Sequence, residues 1–537
     1  MTTFTTPTKH NRPAGAHFAD LRPRHRAVLA RGSWRRVTRR IVCGLACALT
    51  VSSLLMPSIS LAAEWVDVGG TQYNAGTAAG DDAGTWSWDG ADDMKLNGYD
   101  GGAIQAEGKL NVSYSGNNTV TNENGRGILV MDGNAENAEL NIQGDASSTL
   151  NVTSSGDAIM SDGDINIDGA GTVNATSTEH DAIDAKGDLT IKGGGTVEAS
   201  SVEDVAIWAG GNIEISGGSQ VKANSKEDYA VKAIGGLTVT NASLNAHGVG
   251  YGVYAYKGIT LDHATVTVRA AAERDDVSAL FTDEDDIVIK NGSIVDAFAE
   301  GEFSTAISTR NYNPNEAGGH IYISDSVVKA IARYAEIGGD GPACYSRDQD
   351  GEITPERRGV NIGIFAQTSG GITPATISIV RSKVTAEGDT AAIFALAMSA
   401  DGKAIGTIEI EGASILTPEG GKVIDYRHKE ELSDGTVYEA GQAIGTGDAV
   451  IDSPYDGAIA KRAVIAPSEE TKPEDSKPDS KPEGTKTTKT VAAATVGAKT
   501  VGKLAATGDT SGAAIVATAL AGAAAIAAGA VASRKRS

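Results

Sequence analysis

The sequence predicts an all-β protein, a right-handed parallel β-helix of about 24 residues per coil. It further predicts terminal caps, a flexible spacer and a C-terminal transmembrane helix. Three observations carry this expectation: an internal repeat of 24 residues, short apolar/polar alternations within each repeat, and glycine-rich turns between them.

The repeat is clearest in four segments that begin at Asp157, Asp181, Val205 and Tyr229. Ile159, Ile183, Ile207 and Val231 occupy one position. Ile165, Leu189, Ile213 and Leu237 occupy a second, and Val173, Val197, Val221 and Leu244 a third. Around each anchor apolar and polar residues alternate, as in Leu189-Thr190-Ile191, which is the pattern of a strand with one buried face. Turns such as Gly193-Gly194-Gly195 separate the strands. Three strands and three turns close into one coil, and stacked coils bury the anchors in a continuous interior. Ile104 and Ile128 continue the pattern towards the N-terminus. Val253, Leu280, Ile307, Ile364 and Ile393 continue it towards the C-terminus, with loops inserted at 310–319 and 338–360. About a dozen coils at ~4.8 Å each make a rod of about 60 Å. A β-sandwich of repeated hairpins is the alternative, but a strict period without reversal of strand direction argues against it.

The elements follow in order. Residues 1–63 read as a secretion leader: residues 1–40 carry ten Lys/Arg and one acid, and the apolar run Ile41 to Ala63 closes on Ser60-Leu61-Ala62-Ala63. Residues 64–100, with Trp65, Trp86, Trp88 and Tyr99, are expected to cap the open edge of the solenoid. The β-helix proper is assigned to 101–419 and a C-terminal cap to 420–466. Residues 467–503 form a Pro/Lys/Glu/Ser-rich spacer that cannot build a core. Extended, it reaches about 110 Å at ~3.1 Å per residue.

Residues 504–537 hold Leu504, Ala505, Ala506, Thr507 and Gly508, then the apolar run Ala513 to Ala532, then Arg534-Lys535-Arg536. Twenty apolar residues are enough to span a bilayer, and the basic tail would remain cytoplasmic. The arrangement resembles the signal of sortase-anchored Gram-positive surface proteins, the LPxTG type. Ala505 stands where the common motif has Pro, as in the LAxTG variant. The resemblance implies attack by a sortase thiol on the Thr507 carbonyl, transfer to peptidoglycan, and contact with the membrane only through the C-terminal segment before cleavage.

The chain carries a formal net charge of −23, although the leader is strongly basic. This acidity argues against nucleic acid as a partner and suits a cell exterior where Ca²⁺ is plentiful. Once the leader is removed Cys344 is the one cysteine left, so no intrachain disulfide forms and the domain must be held by packing.

The phrases Lys-Gly-Asp-Leu-Thr-Ile-Lys-Gly-Gly-Gly-Thr-Val (186–197) and Gly-Gly-Asn-Ile-Glu-Ile-Ser-Gly-Gly-Ser-Gln-Val (210–221) resemble bacterial surface β-helices classed as carbohydrate-binding domains. Those are similar in fold to pectate lyases. The resemblance covers about 155–270. It implies a polysaccharide or host glycan as partner, an acidic polysaccharide among the options, with calcium.

The residue after each first-strand anchor should face outward, giving the row Leu129, Met160, Asp184, Trp208, Lys232, Tyr254, Phe281, Ser308, Phe365 and Phe394. Its aromatic content suits sugar rings, which stack on aromatic faces while their hydroxyls find polar partners. Asp184, Trp208, Lys232 and Tyr254, with Tyr251 and Tyr256 nearby, are the candidate ligand-binding residues. A second packing layer under the inserted loops is the competing explanation. Asp164, Asp188 and Asn212 recur at the turn after the first strand, and Asp162 adds another oxygen; such a column could hold Ca²⁺, or serve the local backbone as Asx turns. Asp283-Glu284-Asp285-Asp286 reads as a solvated loop. No required cofactor and no catalytic residue set is identified, so a non-catalytic binding or adhesion module is expected. A polysaccharide lyase or glycoside hydrolase of the β-helix type is one alternative, and a structural stalk for a protein partner is another.

Overall fold

The computed structural model describes residues 63–131, 138–271, 276–301, 303–311, 318–334, 361–369, 374–398, 406–426, 448–453 and 458–468, with four two-residue strand pieces between 346 and 438. The leader, the spacer beyond Ser468, the Leu504–Gly508 motif and the apolar run 513–532 lie outside the described residues, as does most of the two inserted loops. Among the described residues no helix is long and apolar enough to cross a membrane.

The described residues between 63 and 468 are all-β, built on three long and mainly parallel sheets of 16, 14 and 13 strands. A typical coil visits each sheet once: Ile183–Ala185 in the first sheet, Leu189–Lys192 in the second and Thr196–Ser201 in the third. The next coil repeats this with Ile207–Ala209, Ile213–Ser216 and Gln220–Ser225. Each strand pairs in parallel with its copy on the coil before and the coil after. This is solenoid-like architecture, and the register matches the sequence repeat. Ile159 pairs with Ile183, Ile183 with Ile207, Ile207 with Val231 and Val231 with Val253. Loops lengthen the later steps without breaking the register, since Leu280 still pairs with Ile307, Ile307 with Ile364 and Ile364 with Ile393.

The interior follows from period-2 alternation. Leu189 and Ile191 from the second sheet meet Val197 and Ala199 from the third and Ile183 from the first, all buried. Small residues precede the first-sheet anchors: Ala182, Ala206 and Ala230 are also fully buried.

Three corners close each coil, and each uses a different device. After the first strand a side-chain oxygen of one coil accepts a backbone amide of the next. Asp164 Oδ1 accepts from Asp188 N (2.8 Å), Asp188 Oδ1 from Asn212 N (2.6 Å) and Asn212 Oδ1 from Gly236 N (2.9 Å). After the second strand one residue takes the left-handed conformation. Gly169, Gly193 and Gly217 fill that place in three coils, with φ of 116°, 93° and 69°. Asn241, His263, Asn291, Asp325 and Arg381 fill it later. Asn and Asp tolerate this region better than other side-chain residues. After the third strand a buried serine turns the chain: Ser201 Oγ donates to His180 O (2.6 Å) and accepts from Asp204 N (3.1 Å), and Ser225 makes the equivalent pair with Asp204 O and Asp228 N.

Antiparallel strands finish both ends. Trp65–Val68 pairs antiparallel with Thr71–Asn74 and with Ile104–Glu107. Trp86–Trp88 pairs antiparallel with Asp93–Asn97, and Trp88 and Met94 plug the interior there. At the other end Arg462–Pro467 runs antiparallel to Lys383–Gly388 and to Ala413–Thr417, while Asp448–Ser453 runs antiparallel to Ala391–Met398. Reversed strands of this kind end the run of identical parallel pairing that an open edge would extend.

Candidate functional site

The outer face of the first sheet collects the chemistry. Two residues per coil project there, one directly after the anchor and one two places before it. The post-anchor row is continuous in the register: Asp184 pairs with Trp208, Trp208 with Lys232, Lys232 with Tyr254, Tyr254 with Phe281, Phe281 with Ser308, Ser308 with Phe365 and Phe365 with Phe394. The alignment expected from the repeat therefore holds. The expectation of a solvent-facing row does not hold along its whole length. Leu129, Met160, Asp184, Phe281, Ser308 and Phe394 are buried, and Trp208, Lys232, Tyr254 and Phe365 are half-buried. Neighbours on the second row supply part of the cover, and Val450 on a closing strand packs against Phe394.

That second row runs through Asp157, Asp181, Val205, Tyr229 and Tyr251, tied by backbone bonds such as Ala158 N to Asp181 O and Ala206 N to Tyr229 O. It continues as Tyr251 paired with Ser278, then Thr305, then Ile362. Together the rows divide the face into four zones along the stack.

The first zone is charged: Arg126, Asp157, Asp181, Asp184 and Lys186. Arg126 Nε donates to Asp157 Oδ2 (2.8 Å) and Lys186 Nζ to Asp184 Oδ2 (2.5 Å). Burial, then Asp204, Asp184 and Asp157, push the Asp181 carboxyl up to about 8. Burial also raises Asp184, against the pull of Lys186.

The second zone is aromatic. Lys186 Nζ lies 4.4 Å from the Trp208 ring centroid, so it bridges the charged zone to this one. Tyr229, Tyr251, Tyr254 and Phe281 form a continuous ring cluster. Centroids lie 4.8 Å apart for Tyr229–Tyr251, 5.9 Å for the stacked Tyr229–Tyr254 pair and 5.1 Å for Tyr251–Phe281. Lys232 Nζ sits 5.2 Å from the Tyr229 ring and the Arg310 guanidinium 5.0 Å from Phe281. Tyr251 donates to Asp276 (3.2 Å) and Tyr254 to Asp283 (3.4 Å), while Arg310 Nε also meets Asp283 (3.3 Å). Burial, then the neighbouring carboxylates, raise both phenols above their ordinary range, so they remain hydroxyl donors.

The third zone is a hydroxyl set in which Ser278, Thr305 and Ser308 bond one another at 2.5–3.3 Å. The fourth is apolar: Ile362, Ala391, Phe394 and Val450, with Phe365, Leu396, Ile424 and Ile459 packed against them. It is a second packing layer.

The remaining expected site residues fall elsewhere. Tyr256 lies in the turn after the first-sheet strand, where its hydroxyl bonds Glu284 and Lys257 stands over its ring at 5.1 Å. Asp164, Asp188 and Asn212 form the column expected from their spacing, but each spends Oδ1 on the amide of the next coil. Asp162 is half-buried in the same corner, its amide donating to Val130 O. The segment 283–286 is a loop, with Asp285 exposed and Asp283, Glu284 and Asp286 half-buried and engaged. Asp283 meets Arg310, Glu284 meets Lys257, and Asp286 is raised by burial while its Oδ1 accepts from His320 N (2.9 Å). The paired outward residues Glu198 and Lys222 form an ion pair at 2.5 Å.

Tyr229, Asp157 and Asp181 were missing from the sequence-based candidates. Their signal is present as the first column of the aligned repeats, two residues ahead of each anchor. No family model matches this chain, and no curated protein or solved structure matches it.

Proposed function

We propose that this chain is a cell-wall-anchored surface protein whose first-sheet outer face binds a polysaccharide or host glycan without cleaving it. In this proposal the sheets wind as a right-handed parallel β-helix with a basic period of 24 residues. The C-terminal segment is the sortase signal and its membrane helix. Right-handed winding is the general rule for parallel strands joined by crossover connections.

The observation that carries the binding proposal is the half-buried group Trp208, Tyr229, Tyr251 and Tyr254, flanked by Lys186, Lys232 and Arg310 on adjacent strands of one face. Rigid aromatic planes with hydroxyls and cations at their rims match the C–H faces and hydroxyls of sugar rings. An acidic sugar would gain from the three cations, on a chain that is otherwise strongly acidic.

The test is a glycan array on the purified protein, with and without Ca²⁺, followed by assay for new reducing ends on any hit. Binding without product release is expected. Release of product would favour a lyase or hydrolase, and silence on every glycan would favour a stalk with a protein partner. On a positive glycan, Trp208→Ala is expected to weaken binding by roughly tenfold or more, because aromatic anchors carry a large share of contact energy. Unchanged affinity would remove Trp208 from the site.

A further inference from the structure

The charged zone beside the aromatic cluster has more anionic oxygen than its partners occupy. One oxygen from each of Asp157, Asp181 and Asp184 lies within 4.8 Å of the other two. Asp157 and Asp181 hold the same position on successive coils, and Asp184 follows Asp181 by three residues on the same strand approach. Each carboxylate has one oxygen engaged: Asp157 Oδ2 by Arg126, Asp184 Oδ2 by Lys186, and Asp181 Oδ1 by the amide of Val205 (3.0 Å). Asp184 Oδ1 is the independent observation. Its side chain is in a residue only 2% exposed, and this oxygen is fully buried with no hydrogen-bond partner. A buried carboxylate oxygen left bare is costly, and native structures seldom keep one without an occupant.

The chemistry of the set selects the occupant. All three donors are carboxylates, with no thiolate or imidazole among them, so the fit is to a hard cation rather than to zinc or copper. Donors held by two stacked coils, at spacings set by strand pairing, suit the loose coordination of Ca²⁺ better than the strict octahedron of Mg²⁺. We propose that Asp157, Asp181 and Asp184 form a calcium site on the outer face of the first sheet, next to Trp208. This is not the turn column Asp164, Asp188 and Asn212, whose Oδ1 atoms already serve backbone amides. The group Asp89, Asp92 and Asp93 differs too, because Asp89 and Asp93 are exposed and so are not held as the buried Asp184 is.

The experiment is calorimetric titration of the full chain, stripped with chelator, using CaCl₂ and then MgCl₂ at moderate salt. Expected is one Ca²⁺ event per chain that is absent in Asp184→Asn and in Asp181→Asn and is retained in Asp89→Asn. Melting should shift upward by a few degrees with saturating Ca²⁺ in the parent and not in the two site variants. Asp181 is only half-buried, so its variant keeps the test open if Asp184→Asn does not fold. No Ca²⁺ uptake by the parent at millimolar concentration would overturn the site. So would uptake that survives in a folded site variant, or Mg²⁺ binding in preference to Ca²⁺.

Discussion

Ser201 illustrates how much one small polar residue holds at a corner of this protein. Its hydroxyl is buried, donates to the carbonyl of His180 on the preceding coil and accepts the amide of Asp204 on its own. Ser201→Ala removes both bonds and leaves two backbone groups to find new partners, a loss of about 1–3 kcal/mol. A lower denaturation midpoint with unchanged slope is the expected outcome; an unchanged midpoint would mean that water replaces the hydroxyl. Asp181 contributes at the same scale, with a different dependence. Burial and the neighbouring carboxylates raise its carboxyl to about 8 in the folded protein, from the ordinary 3.8 of a free aspartate. The folded chain therefore holds a proton that the unfolded chain has released over that interval. Its contribution to stability is full below about pH 4 and is lost as pH climbs through 8. Melting followed from pH 5 to 9 should show this decline in the parent and not in Asp181→Asn. A flat difference between the two would show that Asp181 titrates normally.

At the scale of strands and turns, the left-handed corner after the second-sheet strand decides which residues are allowed. A Cβ at Gly193 would stand 2.3 Å from the amide nitrogen of Gly169 on the preceding coil, and Gly193 has φ of 93°. Both the neighbouring backbone and the dihedral refuse a side chain, so Gly193→Ala should lower the melting temperature clearly. At Gly292, φ is also positive but nothing lies within 4 Å of the built Cβ, so Gly292→Ala should cost only the dihedral penalty of about 1 kcal/mol. Equal losses in the two variants would show that strain, not inter-coil contact, governs the corner. These turns also explain how much the sequence could reveal. The spacing of Ile183, Ile207 and Val231 was legible because strand pairing forces each anchor onto its copy, and the Gly-Gly turns marked the breaks. The post-anchor row was legible for the same reason. Its burial was not, because cover comes from Tyr229 and Tyr251 on the second row and from Val450 on an antiparallel closing strand, and a repeat carries no information about such lateral packing. The oxygens of Asp164, Asp188 and Asn212 were correctly stacked by spacing, yet spacing could not tell a metal from an amide as their partner.

At the scale of the solenoid, stability is a sum over coils and their neighbours, so its length adds to its stability. Contacts run from each coil to the next, the ends are closed by reversed strands, and the outer face of one sheet stays continuous from Asp157 to Phe394. If the protein works at a cell surface, as proposed, this solenoid must be held there and presented beyond the wall. The proposed anchor answers that need: a Pro/Lys-rich stretch from about residue 467, then Leu504-Ala505-Ala506-Thr507-Gly508, then twenty apolar residues and a basic tail. The order has mechanical logic, because an export channel must stall on the apolar run before the pentapeptide can be cut just outside the membrane. If a sortase cleaves between Thr507 and Gly508, the protein should be released only by wall-digesting enzymes and should run with wall fragments attached. Replacing Thr507-Gly508 by Ala-Ala removes the scissile acyl donor and leaves the apolar run in place. The variant should then accumulate in the membrane fraction and come out with detergent. A variant that still needs wall digestion for release would show that attachment is made elsewhere in the chain, and an outer face that still bound glycan in that variant would show that binding and anchoring are separable.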